Sequence, residues 1–202
     1  MLILCSNGLT SDVLLQAVRE KAKHSLSAAL VVTADHEYKE QNYHVNRCRK
    51  ELESIGLDVD LFDIDYSPAE KLLEYAVVEF IGGNPFYLLK SITDHNAAYV
   101  LKQLADEKIL IGWSAAAFVF GPTLELVNRY SPEMNIWKLK DLNGISLTEA
   151  EVLPHYSKFL SRFEKFEEKC KEYEHLYGVN VIRLNDGEGV IIEPGDVSVY
   201  RV

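Results

Sequence analysis

Positive charge is what this chain lacks most. Lys and Arg number 21 against 31 Asp and Glu, so its 202 residues carry a formal net charge of −10 at pH 7. A surface of that sign repels phosphate backbones and anionic lipid, so neither nucleic acid nor membrane is expected as a partner. Cysteine is scarce as well. Cys5, Cys48 and Cys170 are odd in number and share no metal-ligand spacing, which argues against a disulfide framework and fits a reducing cytoplasm. No apolar run approaches the roughly 18 residues of a spanning helix, and the opening MLILCSNG is too short for the apolar core of an export signal. There is no internal repeat, and no stretch rich enough in Gly, Ser or Pro to act as a linker, so residues 1–202 read as a single domain. What is present is a globular balance, 48% hydrophobic and 26% charged, enough for a substantial core.

The first half alternates short aliphatic runs with longer amphipathic stretches, the pattern of βα units feeding a parallel sheet. Strands are expected at 2–5, 29–33, 59–63, 76–81 and 108–112, each short and apolar, as strands covered on both faces are. Helices are expected at 11–23, 41–55 and 97–106. In the second of these, Val45, Cys48, Leu52 and Ile55 share one face, and Gly56 stands where a helix C-terminal glycine belongs. Residues 128–144 are polar and turn-rich and read as loop. The segment 155–176 reads as one charged helix with a packed stripe of Phe159, Phe163, Phe166 and Cys170. The tail reads as strands at 179–184, 189–192 and 197–202, joined by Asn185-Asp186-Gly187 and Pro194-Gly195 into a terminal meander.

The most informative stretch is Ile109-Leu110-Ile111-Gly112-Trp113-Ser114-Ala115-Ala116. A serine between a buried strand and a helix sits on a sharp turn that lifts its hydroxyl clear of the sheet, and small residues two before and two after permit that turn. Gly112 supplies the first, while Ala116 replaces the usual second glycine. The following helix points unpaired amides toward the serine, making the Ala115 N–H a candidate oxyanion donor. Gly82-Gly83-Asn84-Pro85, just past the fourth strand, lets the backbone approach the same crevice, with Asn84 as cap and Pro85 at the first helical position, and Gly83 as the second donor. The competing interpretation makes Ser114 an ordinary helix cap.

A nucleophilic serine needs a base, and an acid to orient that base. His155, after a proline-fixed turn, is the leading base; His36, in a loop at the same sheet edge, is the alternative. His24, His44, His95 and His175 lie in polar or helix-end surroundings. Glu125, Glu133 and Asp141 all fall between Ser114 and His155, and spacing does not choose among them.

Taken together, Ser6-Asn7, Gly82-Gly83-Asn84-Pro85-Phe86, Gly112-Trp113-Ser114-Ala115, Gly121-Pro122-Thr123 and Pro154-His155-Tyr156 resemble, almost end to end, the dipeptidase E family of aspartyl dipeptidases and their cyanophycinase relatives. The resemblance implies a three-layer α/β sandwich with a mostly parallel sheet, like class I glutamine amidotransferases, closed by a C-terminal antiparallel meander. It implies a cytoplasmic serine peptidase, monomeric or homodimeric, that hydrolyses short peptides without cofactor or metal. Ser114 would be its nucleophile, His155 its base and the Gly83 and Ala115 amides its oxyanion donors. The family's acid falls in Pro132-Glu133-Met134, which points to a Ser-His-Glu triad with Glu133, Asp141 standing in reserve. The sequence departs from the family pattern at Ala116, at Pro85, and in lacking the arginine that would hold an aspartate side chain, so aspartyl specificity does not carry over. Those departures leave an alternative: a catalytically impaired relative that uses the crevice to bind a small ligand or partner.

Overall fold

A computed structural model describes residues 1–22, 26–193 and 196–200. Five parallel strands form its centre: β1 (Leu2–Cys5), β2 (Ser27–Val31), β3 (Asp58–Phe62), β4 (Val77–Phe80) and β5 (Ile109–Trp113). With β8 (Gly189–Glu193) and β9 (Asp196–Tyr200) added antiparallel, the sheet runs β3-β2-β4-β5-β1-β8-β9. The expected α/β architecture, mostly parallel with a C-terminal antiparallel edge, is therefore present. Each strand divides its side chains by parity. Ile3, Leu30, Val77 and Ile111 pack with Leu14 and Val18 of α1 (Asp12–Ala22) and Cys48 and Leu52 of α2 (Val45–Ser54). Leu4, Val31, Phe80 and Leu110 face the opposite way, toward α3 (Pro85–Asp94), α4 (Ala98–Glu107), α5 (Ala115–Phe120) and α6 (Glu125–Tyr130). Burial on both faces is why these strands are nearly continuous aliphatic runs. Local signals hold too: Asn84 caps α3 by accepting from the Phe86 and Tyr87 amides, with Pro85 opening the helix, and Gly56 follows α2 at φ +91°. No described helix is long and apolar enough to cross a membrane.

The second half departs from expectation in three places. The polar segment 128–144 begins inside α6 and includes a 3-10 turn at Pro132–Met134. The expected helix at 155–176 is two helices, α7 (Tyr156–Arg162) and α8 (Phe166–Tyr177), broken where Lys165 takes φ 54°. The break lets Phe159, Phe163 and Phe166 all reach Tyr130, with ring centroids 5.4, 5.1 and 5.1 Å away, which a straight helix would not permit. Finally, the strand expected at 179–184 is β7 (Val181–Arg183). It leaves the main sheet and pairs in parallel with β6 (Glu151–Leu153), a strand too short to show any alternation. The Pro194-Gly195 turn, Arg201-Val202 and His24 fall outside the described residues.

One position breaks the apolar layer beneath α2. Glu79, in β4 between Leu30 and Ile111, is fully buried, and neither of its carboxylate oxygens finds a hydrogen-bond partner among the described residues. Burial, and then the nearby Glu51 charge, push its pKa up to about 8 from an ordinary 4.5. The folded chain thus keeps a proton that the unfolded chain releases near pH 4.5. This group's contribution is fully present below pH 4.5 and is lost as the pH rises to about 8. Glu79→Gln is expected to remove that decline: in denaturant unfolding, variant minus wild-type stability should grow by up to about 1.4 kcal/mol per pH unit across this window and level off above it. A difference independent of pH would contradict the assignment.

Candidate active site

The carboxyl ends of β1, β4 and β5 converge on Ser114. Cys5 pairs with Trp113, and the Ser114 amide donates to the Cys5 carbonyl at 3.1 Å, so the chain is pinned to the sheet up to the residue at which it turns. Ser114 itself takes φ 51°, ψ −107°, a conformation that L-residues adopt only when their surroundings impose it. The surroundings do so by close packing. A Cβ at Gly112 would lie 2.6 Å from the Phe120 ring and 3.1 Å from the Ala116 Cβ. The Ala116 methyl therefore fits because the residue opposite has no side chain, and the elbow forms with alanine in place of the second glycine. On the other flank, a Cβ at Gly82 would meet the Trp113 ring at 2.5 Å and the Ser114 Cβ at 3.1 Å, which seats the glycine loop against the serine. The Gly83 amide has no acceptor among the described residues, and the Ala115 amide begins α5, where helix geometry leaves it unpaired.

His155 reaches the serine from the far side of the sequence. Its Nε2 lies 3.1 Å from Ser114 Oγ, and its Nδ1 lies 2.7 Å from Asp186 Oδ1. An ionised carboxylate only accepts, so Nδ1 carries the proton and Nε2 is free to accept from the serine hydroxyl. Ser6, at the end of β1 and fully buried, ties the pair together. Its hydroxyl donates to Asp186 Oδ1 at 2.9 Å and accepts from the His155 backbone amide at 2.9 Å. Asp186 sits in a turn that is itself held: the Gly187 amide donates to Asn7 Oδ1 at 2.9 Å, the Asn185 amide to Glu188 Oε2 at 2.7 Å, and Asn185 Oδ1 accepts from the Ser157 amide at 3.1 Å. Lys158, one turn along α7 from His155, contacts the outer oxygen Asp186 Oδ2.

The acid beside His155 is thus Asp186, and the expectation of Glu133 is corrected. Glu133 is exposed on the 3-10 turn, where it accepts from the Ser131 hydroxyl. Asp141 is exposed and accepts from the Asn143 amide at 3.0 Å. The imidazole on Ser114 Oγ is that of His155, whereas the His36 ring packs tilted against Tyr87 and edge-on against Trp137. Asp186 lies beyond the histidine in the chain, outside the Ser114–His155 interval that holds Glu125, Glu133 and Asp141. Its signal in the sequence is Asn185-Asp186-Gly187, an acid in a tight turn just past a strand.

Electrostatics fit a base that is neutral at neutral pH. Burial lowers the His155 pKa below its ordinary 6.5, Asp186 opposes this by hydrogen bond and by charge, and Lys158 adds a downward push; the net shift is downward. For Asp186, burial pushes upward, but hydrogen bonds from Lys158, His155 and Ser6 outweigh it, so the carboxylate stays below its usual range. His44, whose ring lies edge-on 5.1 Å from Trp113, is lowered by burial and then by Arg47, His155 and Lys158. Among the described residues, Cys48, Glu51 and Glu79 are the group whose ligand atoms, all within 4.8 Å of one another, could share an ion, and there the Arg47 guanidinium already holds Glu51 at 2.5 Å.

Comparison with known proteins gives the chain its family. The sequence profile of Peptidase family S51 matches residues 2–200. The uncharacterised peptidase Lmo0363 of Listeria monocytogenes serovar 1/2a is 25% identical over 168 residues, covering 81% of this chain and 80% of that one. The uncharacterised peptidase Lin0382 of Listeria innocua serovar 6a is 27% identical over 161 residues, 77% and 75% of the two chains. Among solved structures, a protein of Listeria monocytogenes EGD-e named as a candidate peptidase E superposes with a TM-score of 0.77 at 23% identity, over 100% of this chain and 98% of that one. A peptidase from an acI-B1 actinobacterium gives 0.66 at 17% identity, over 94% and 81%.

The partners of His155 make its titration informative. By NMR, the His155 imidazole should titrate below 6.5. Asp186→Asn should lower it further, Lys158→Met should raise it, and Glu133→Gln should leave it in place. A shift with Glu133→Gln and none with Asp186→Asn would reverse the assignment.

Proposed function

Because the chain belongs to peptidase family S51 and is on that ground a peptidase, we propose that it hydrolyses short peptides by serine chemistry, with Ser114 as nucleophile, His155 as general base and Asp186 as the orienting acid. The observation that carries this reading is the continuous hydrogen-bonded line from Ser114 Oγ through His155 to Asp186 Oδ1, at 3.1 and 2.7 Å. In the first half-reaction Nε2 takes the hydroxyl proton as Oγ bonds to the scissile carbonyl carbon. The amides of Gly83 and Ala115 receive the oxyanion, and Asp186 steadies the imidazolium. As the C–N bond breaks, Nε2 returns the proton to the departing amine. Water, deprotonated by the same nitrogen, then attacks the acyl-enzyme, and the peptide acid leaves as Oγ regains a proton.

A serine-directed phosphonate tests the core of this. It should label Ser114 in the wild type, fail on Ser114→Ala and react far more slowly with His155→Ala; absence of labelling in folded wild-type protein would leave the crevice as a binding site. With a dipeptide substrate identified from a library, Asp186→Asn should lower kcat by about 10⁴-fold, while Glu133→Gln and Asp141→Asn remain near wild type. Protonated His155 cannot accept the serine proton, so kcat/KM should fall on acidification with an apparent pKa below 6.5, following the downward shift of the imidazole. In Gly83→Ala the new methyl would meet the Ala34 carbonyl oxygen at 2.3 Å, forcing the loop to move. Its kcat should drop on the order of a hundredfold. Wild-type turnover in that variant would remove Gly83 from the oxyanion site.

A further inference from the structure

Three loops are knotted together beside the Gly83 amide. The Asn84 amide donates to the Ala34 carbonyl at 2.9 Å, and a Cβ at Gly83 would come within 2.8 Å of the Asp35 nitrogen, so residues 34–36 lie directly on the glycine loop. Asn84 Nδ2 donates to the Met134 carbonyl at 2.9 Å, which ties in residues 134–137. From this knot His36, Tyr87 and Trp137 bring their rings together. His36 and Tyr87 lie 5.3 Å apart, His36 and Trp137 4.9 Å apart edge-on, and Tyr87 and Trp137 4.9 Å apart. All three sit on loops or a helix start: Tyr87 and Trp137 are half-buried, Trp137 against the edge of the core, and His36 is exposed.

The wall is fixed from behind. Tyr87 Oη donates to Asp65 Oδ2 at 2.6 Å, and the Lys39 ammonium lies 5.0 Å from the Tyr87 ring centre while pairing with Asp63 at 3.0 Å and with Asp65. An aromatic surface held in this way binds without first having to be ordered. Its charge also selects. Lys39, the cation lying over the Tyr87 ring, already carries two carboxylate partners, and Asp35 and Asp65 lie beside the wall. An acidic side chain arriving against the ring faces would lose its hydration next to these carboxylates.

We propose that His36, Tyr87 and Trp137 form the side-chain subsite of this peptidase and that it takes an uncharged aromatic or large aliphatic residue of the peptide. This rests on the peptidase reading above and names its substrate class. If the rings served only to brace the loops, replacing them would cost stability without changing which peptide binds.

The test uses Ser114→Ala protein, which cannot turn substrate over, titrated calorimetrically with Phe-Ala, Leu-Ala and Asp-Ala. Phe-Ala and Leu-Ala should bind at least about tenfold more tightly than Asp-Ala. Adding Trp137→Ala, or His36→Ala at an exposed loop position where folding is not at stake, should weaken Phe-Ala by severalfold and leave Asp-Ala unchanged. Equal or tighter binding of Asp-Ala, no binding of any of the three, or unchanged Phe-Ala affinity in both double variants overturns the subsite. Phosphonate labelling of wild-type Ser114 is scored separately: labelling without this preference defeats the subsite and leaves the peptidase reading standing, whereas preferential binding without labelling does the reverse.

Discussion

The imidazole of His155 and the carboxylate of Asp186 meet because two three-residue strands run side by side in the same direction. In the parallel β6–β7 pair Leu153 is matched with Arg183, so the chain two residues past one strand and three past the other arrives at a common level. The Leu184 amide donates to the Leu153 carbonyl at 2.9 Å and the Tyr156 amide to the Leu184 carbonyl at 3.0 Å, extending the ladder up to the two functional side chains. Ser6, coming from β1 of the main sheet, then fastens this small sheet to the large one. A slip of one residue in the small pair would separate base from acid and leave the serine without an oriented partner.

The other half of the site is built by exclusion of side chains. At Gly82, Gly83 and Gly112 a methyl group would lie under 3 Å from its neighbours, and these three glycines are where the backbone must press against the elbow. Ser114 pays for its conformation with tight burial on both sides, since Ala115, Ala116 and Ala117 are all buried in the same cluster. Strain of this kind, of order 1–3 kcal/mol, persists only where packing over-determines it. The apolar core beneath the site supplies that constraint, and the half-buried hydroxyl held toward His155 is its product.

How much of this was legible beforehand follows from range. The five parallel strands, the elbow at Ser114 and the capped turn at Asn84-Pro85 are written in local periodicity and local residue chemistry, and the sequence shows them. His155 was legible because a proline-fixed turn sets it apart. Asp186 was not, since nothing near it in the chain says that β7 would leave the terminal meander to pair with β6; that choice is made by tertiary packing of Val152 and Val181. The break between α7 and α8 escaped for the same reason: Phe159, Phe163 and Phe166 are spaced as for one helix, and only the position of Tyr130 shows that they gather around a ring from elsewhere. Ala116 is the opposite case, a local departure from the family pattern that the glycine at 112 absorbs.

Where negative charge settles when Ser114 reacts decides whether the crevice works as an oxyanion site. A crystal structure of the wild-type protein carrying a phosphonate on Ser114 Oγ would answer this directly. The phosphonyl oxygen should lie within about 3 Å of both the Gly83 and Ala115 amides, with His155 still bridging the adduct and Asp186. An adduct whose oxygen faces solvent, or an imidazole turned away from Asp186 toward another acid, would contradict the proposed mechanism.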